Sequence, residues 1–128
     1  MASSASASLQ LEIMATGENS GTWGQKSNTN LQILEDAIAG TEAITLSSSD
    51  VTLTDTQFTF GQQSHAAILS LTGTLSGNVN IIVPTRSKTY LIKNGTTGAF
   101  TVTVKTASGT GAIVDQGLTT LVRCDATN

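Results

Sequence analysis

Tyr90-Leu91-Ile92-Lys93-Asn94-Gly95-Thr96-Thr97-Gly98-Ala99-Phe100-Thr101-Val102-Thr103-Val104-Lys105 is the stretch on which the fold turns. An apolar-rich strand runs into Asn94-Gly95, the strongest short hairpin signal a sequence can carry. After the polar loop, Phe100, Val102 and Val104 alternate with threonines, so one face points inward and the other to solvent. The pattern predicts two antiparallel neighbours joined by a tight reversal.

Upstream and downstream the same grammar repeats. Ile44-Thr45-Leu46 and Val51-Thr52-Leu53 alternate, and Thr56 to Phe60 sets Phe58 and Phe60 on one face. Ala67-Ile68-Leu69-Ser70-Leu71 is more continuously apolar, as a buried central strand would be. Val79-Asn80-Ile81-Ile82-Val83 ends at Pro84, which cannot donate to a ladder. Ala112-Ile113-Val114 and Thr119 to Cys124 follow, each set off by Gly, Ser or Asn. Short strands at this spacing predict a mainly β chain with an antiparallel β-sandwich or jelly-roll-like body. No exact internal repeat is visible, which argues against a solenoid.

The first third reads differently. Residues 1–8 are small and polar and cannot bury apolar surface, so they should stay ordered only when tied down, by a partner chain for example. Leu9, Leu11 and Ile13 alternate with Gln10 and Glu12, the pattern of a half-buried strand that could add to a neighbour's sheet. Gly17 to Gly24 is a turn-rich joint containing the only tryptophan, Trp23. Thr29-Asn30-Leu31-Gln32 fits a capping box with Thr29 as N-cap. Leu31, Leu34 and Ile38 then mark one face of a short helix, which Gly40 closes as a glycine beyond its end. Trp23 is expected to pack on this helix. The chain thus divides into an extended N-terminal arm, strand and joint (1–24), a short helix (25–42) and the β body (43–128).

Length and composition narrow the function. At 128 residues and 13.1 kDa the chain is one domain. Only 12% of it is charged and 4% aromatic. So few charges suit a surface of hydroxyls, or one buried against neighbours. The net charge of −3 lacks the basic footprint of a nucleic-acid binder. Its distribution is uneven: residues 1–64 sum to −6 and residues 65–128 to +3. Either the halves face each other within one domain, or the front of one subunit complements the back of the next. No apolar run approaches a bilayer's width, so no membrane partner is expected. The opening Met-Ala-Ser-Ser lacks the basic and apolar regions of a signal peptide, which predicts use without secretion.

Catalytic chemistry finds little support. His65 and Cys124 could form a Cys–His pair in principle, but nothing beside Cys124 would activate its thiol. An ordinary loop histidine and a buried strand cysteine are the simpler readings. Asp50 and Asp55 fit no calcium loop. Glu35 and Asp36, adjacent on a helix, point apart. Gly21 to Ser27 lacks the spacing of a phosphate-binding loop. The expectation is a non-enzyme with no cofactor and no metal site.

Three stretches resemble tailed-phage virion structural proteins of the fibre and decoration type. They are Ala15-Thr16-Gly17-Glu18-Asn19-Ser20-Gly21-Thr22-Trp23-Gly24 with Thr29-Asn30-Leu31; Leu69 to Gly77 running on to Ile81-Ile82-Val83-Pro84; and Tyr90 to Thr106 with Leu121-Val122-Arg123-Cys124-Asp125. The resemblance implies a virion structural part, assembled in the host cytoplasm as a homo-oligomer, commonly a trimer, and bound to other capsid or tail proteins. Fibre proteins of this kind usually continue into a shaft and tip beyond the Cys-Asp stretch. Their absence after Asn128 points to a small accessory subunit, a capsid decoration or a tail or fibre-base component. The candidate assembly interface is Leu9, Leu11, Ile13, Trp23, Asn30 and Leu31. A carbohydrate-binding module that stacks sugars on Trp23 and Tyr90, attaching to a host-surface glycan, is the alternative.

Overall fold

The computed structural model describes residues 3–17 and 20–127; Glu18 and Asn19 of the glycine-rich joint lie outside the described residues. The elements are strands β1 (Ser4–Ala5) and β2 (Glu12–Ile13), helix α1 (Trp23–Ala39), and strands β3 (Thr41–Thr45), β4 (Val51–Thr52), β5 (Ile68–Thr72) and β6 (Val79–Ile82). Strands β7 (Ser87–Asn94), β8 (Val102–Lys105), β9 (Ala112–Val114) and β10 (Thr119–Asp125) complete the chain. A single 3-10 turn at Gln63–His65 precedes β5.

The mainly β character and the one helix are as expected; the strand pairing is not. Two four-stranded sheets run in the order β10-β7-β5-β3 and β4-β6-β8-β9. From β3 to β8 the chain crosses alternately between them. Strand β5 lies parallel to both β3 and β7, and β6 parallel to both β4 and β8. Only β9 and β10, the last strand of each sheet, run antiparallel to their neighbours. The sheets are therefore mixed, where a wholly antiparallel body was predicted. Ile68 pairs with Leu91, Thr74 with Thr97 and Val79 with Val102, a constant step of 23 residues. The turns of chain stack like those of a solenoid although no sequence repeat announces it.

Asn94 and Gly95 show why the hairpin reading fails. A two-residue hairpin of the favoured type needs positive φ at both central positions, and neither residue has it. Asn94 is instead a buried corner residue, 1% exposed. Its amide Nδ2 donates to the Val114 carbonyl at 2.7 Å, and its Oδ1 accepts from the Thr96 backbone N–H at 3.1 Å. The Gly95 N–H donates to the Leu71 carbonyl of the previous turn at 2.8 Å. Strand β7 thus bends toward the other sheet.

Parallel stacking puts like positions above one another. Val79, Val102 and Val114 form one inward column across β6, β8 and β9, and Leu69 lies beside Ile92 across β5 and β7. All five are buried in the core shared by the two sheets. Each such side chain contributes about 1.5–3 kcal/mol relative to exposure. The central strand predicted around Leu69 and Leu71 is present, with both residues fully buried. The strand predicted over residues 56–60 is absent: that segment is loop, and Phe58 sits at a left-handed φ of 61°.

The helix begins at Trp23, with Thr22 as N-cap. Thr29, expected as the N-cap, lies inside it and donates its hydroxyl to the Gln25 carbonyl at 3.0 Å. Gly40 ends the helix, as expected, but with an extended backbone of φ −72° and not the left-handed turn such glycines commonly make. Its N–H donates to the Asp36 carbonyl, and its own carbonyl accepts from Ile68, so the helix passes directly into β3.

Candidate functional site

The six residues expected at an assembly interface divide into two groups. Leu9, Leu11, Ile13 and Asn30 belong to the arm and its surroundings, and among them Asn30 docks the arm on its own chain. Gln10 adopts a left-handed φ of 56°, which breaks the predicted strand over residues 9–13 and leaves only β2. Strand β2 pairs antiparallel with β1, so the arm folds into its own small hairpin. Asn30 imitates a neighbouring strand: its Oδ1 accepts from the Glu12 N–H at 2.9 Å, and its Nδ2 donates to the Glu12 carbonyl at 3.0 Å. Lys26 reaches the buried Glu12 carboxylate at 3.3 Å. The Phe58 N–H donates to the Gln10 carbonyl, and Arg86 Nε donates to the Ser8 carbonyl at 3.0 Å. Leu9 and Leu11 are half-buried, and Ile13 faces solvent.

Trp23 and Leu31 form the second group and lie on the outside of α1. Trp23 is 63% exposed, Leu31 62% and Ile38 79%. The predicted packing of Trp23 against the helix is therefore overturned. At 3.6 residues per turn, Trp23, Ser27, Leu31, Leu34 and Ile38 share one stripe. None of the five carries a charge. The buried helical residue is Ile33, about 120° around the helix from the middle of the stripe. Tyr90, the second aromatic of the sugar-stacking alternative, is 2% exposed and cannot share a binding face with Trp23.

A polar cluster anchors the arm from below. Arg86 clamps both carboxylate oxygens of Asp55, and the Ser64 hydroxyl donates to Asp55 Oδ1 at 2.7 Å. Burial works to raise the Asp55 carboxyl, but the hydrogen bonds from Arg86 and Ser64 outweigh it and hold the group below its ordinary value. His65, predicted as an ordinary loop residue, is fully buried, with Nε2 4.0 Å from Asp55 Oδ1. Burial lowers its pKa, against the opposing pull of Asp55. Lys88 lies 4.0 Å above the Tyr90 ring and donates to the Ala66 carbonyl at 2.7 Å. Burial draws its ammonium down to about 8. Tyr90 donates its hydroxyl to the Ser64 carbonyl at 3.2 Å, and burial raises its pKa. These groups are tied to one another or sealed in the interior, as suits a structural clasp. Cys124 is a buried strand cysteine, as expected, with its thiol 3.5 Å from the Pro84 carbonyl.

At the β9 and β10 end of the body, a cavity of about 350 Å³ opens to solvent. Buried Val83, Val104 and Cys124 line it, together with the exposed Leu121 and Arg123 and the half-buried Lys105. Sequence reasoning did not find this groove, because it forms only where the last strands of two sheets part. Among the described residues, no group of three His, Cys, Asp or Glu side chains converges, and no helix is long and apolar enough to cross a membrane. No family model, no curated protein and no solved structure matches the chain.

Proposed function

We propose that this chain is a small structural subunit of a tailed-phage particle, a capsid decoration or a tail or fibre-base component. It works by binding copies of itself, in trimers or other closed groups, and adjoining virion proteins. The observation that carries the reading is the exposed stripe of Trp23, Leu31 and Ile38 on a folded, charge-poor chain. Large apolar side chains aligned on one face mark an interaction site. Aromatic residues are also the side chains that most often dominate binding energy at interfaces. The virion assignment itself rests on the sequence resemblance.

The test is Trp23→Ala and the double substitution Leu31→Asp with Ile38→Asp. Exposed residues contribute little to folding, so Trp23→Ala should leave stability within about 0.5 kcal/mol. Both variants should be lost from purified phage particles when they compete with the wild-type chain during infection. Equal incorporation of variant and wild type would end the proposal for this face. Absence of the wild-type chain from particles would end the virion reading.

A further inference from the structure

We propose that copies of this chain join head to tail, with the Leu31, Leu34 and Ile38 ridge of one copy's helix seated in the groove between β9 and β10 of the next. The inference deepens the assembly reading above and rests on it, by naming the partner and both contacting surfaces.

The two surfaces are complementary in shape and in chemistry. The groove is an open apolar trough with room for several aliphatic side chains, backed by Val83 and Val104. Leu121, 68% exposed, extends that apolar surface outward. The helix offers a ridge of aliphatic residues without a charge in its stripe. The mouth of the groove carries Lys105 and Arg123. Glu35 borders the ridge on one side, and no base occurs between residues 27 and 39. Seating the ridge therefore brings Glu35 toward Lys105 and Arg123, in line with the −6 and +3 halves of the chain.

The alternative, pairing the helices of two copies face to face, brings the Glu35 of both copies to one seam with no base beside the ridge to offset them. Like charges so placed disfavour that arrangement. The surfaces also belong to opposite ends of one sheet: α1 runs into β3, the strand farthest from β10 in the order β10-β7-β5-β3. A contact between different surfaces leaves one of each free at the ends of a pair. It therefore closes into a ring or extends into a fibre.

Mixing two single-site variants tests the arrangement. Ile38→Asp disables the ridge and Leu121→Asp disables the groove; both side chains are exposed, and thermal melting followed by circular dichroism confirms that each variant folds. In sedimentation equilibrium the wild-type chain should self-associate, and each variant alone should do so at least about tenfold more weakly. An equimolar mixture keeps one intact junction, made from the ridge of Leu121→Asp and the groove of Ile38→Asp. It should yield a one-to-one dimer and nothing larger. A wild-type chain that remains monomeric overturns the proposal. So does a mixture that stays monomeric, and so does a Leu121→Asp variant that associates like wild type, which would indicate helix-to-helix pairing. A chain that enters particles but never self-associates removes this junction and self-binding and keeps the virion reading, whereas one that self-associates but is missing from particles removes the virion reading alone.

Discussion

Thr74 and Thr97 stand side by side, 23 positions apart, with their hydroxyls 3.2 Å from one another. The pair marks a corner at which one turn of chain lies directly on the next. One position before Thr74, Gly73 has a φ of +110°, and a Cβ built there would stand 2.3 Å from the Leu46 carbonyl oxygen. No ordinary side chain fits that contact.

Gly73→Ala should therefore destabilise the protein by about 1–3 kcal/mol, through backbone strain and displacement of the Leu46 carbonyl. Gly77→Ala is the control. A Cβ there would meet only the Ser48 Cβ, at 3.9 Å, and the change should be close to neutral. Urea unfolding of the two variants checks the contrast, and equal midpoints would contradict the corner geometry.

Asn94→Ala removes the partner of the buried Val114 carbonyl and the acceptor for the Thr96 N–H. Buried groups left without partners cost about 1–3 kcal/mol. The loss should appear in chemical denaturation, with hydrogen exchange accelerated first in β9, whose carbonyl is the one released.

Much of this could be read from the sequence, and the limits have physical causes. Alternation at Leu69 and Leu71, or at Val102 and Val104, reports that a strand has an inner face. It does not report whether the neighbour runs parallel, because both pairings share the period of two. The 23-residue step leaves no repeat in the letters because a column needs compatible interiors only: Leu71 stacks on Asn94 as readily as Val79 on Val102. The helix was legible from Leu31, Leu34 and Ile38, but its orientation was not. The stripe that usually signals burial faces outward here, and Ile33 turns inward. His65 follows the polar run Gln62-Gln63-Ser64, so nothing local signals that long-range packing encloses it.

Arg86→Ala should free the arm before it unfolds the body. Arg86 ties Asp55 to the Ser8 carbonyl, linking the β6 to β7 corner to the N-terminal segment. Charge-assisted hydrogen bonds of this kind contribute about 1.5–3 kcal/mol. Limited proteolysis of the variant should cut within residues 3–17 under conditions in which the wild-type arm stays intact. The same rate of cleavage in both would show that the clasp does not hold the arm.

Stability should fall on acidification below pH 6.5. The His65 pKa is lower in the folded chain than its ordinary 6.5, so on acidification the unfolded chain takes up that proton first. Stability then decreases as pH drops from 6.5 through the folded value. Asp55, also lowered from its ordinary 3.8, adds a loss of the same sign at lower pH. On the alkaline side the Lys88 ammonium, drawn down to about 8 from 10.5, loses its proton in the folded chain first, and stability rises from about pH 8. Above the ordinary tyrosine value of 10 the raised Tyr90 opposes this gain. Denaturant midpoints across this range should trace both limbs, and His65→Asn should flatten the slope just below pH 6.5. An unchanged slope in that variant would reassign the acid limb.

The parallel winding also sets how such a body can change size. One circuit of about 23 residues contributes a strand to each sheet, and neighbouring strands lie about 4.8 Å apart. An added circuit between residues 72 and 73 would follow the whole helix and precede every residue of the groove, so it would lengthen the body by one such increment and leave the helical face and the groove chemically unaltered. Height is thus adjustable in discrete steps while both ends keep their specificity, so a spacer and its connectors can diverge independently.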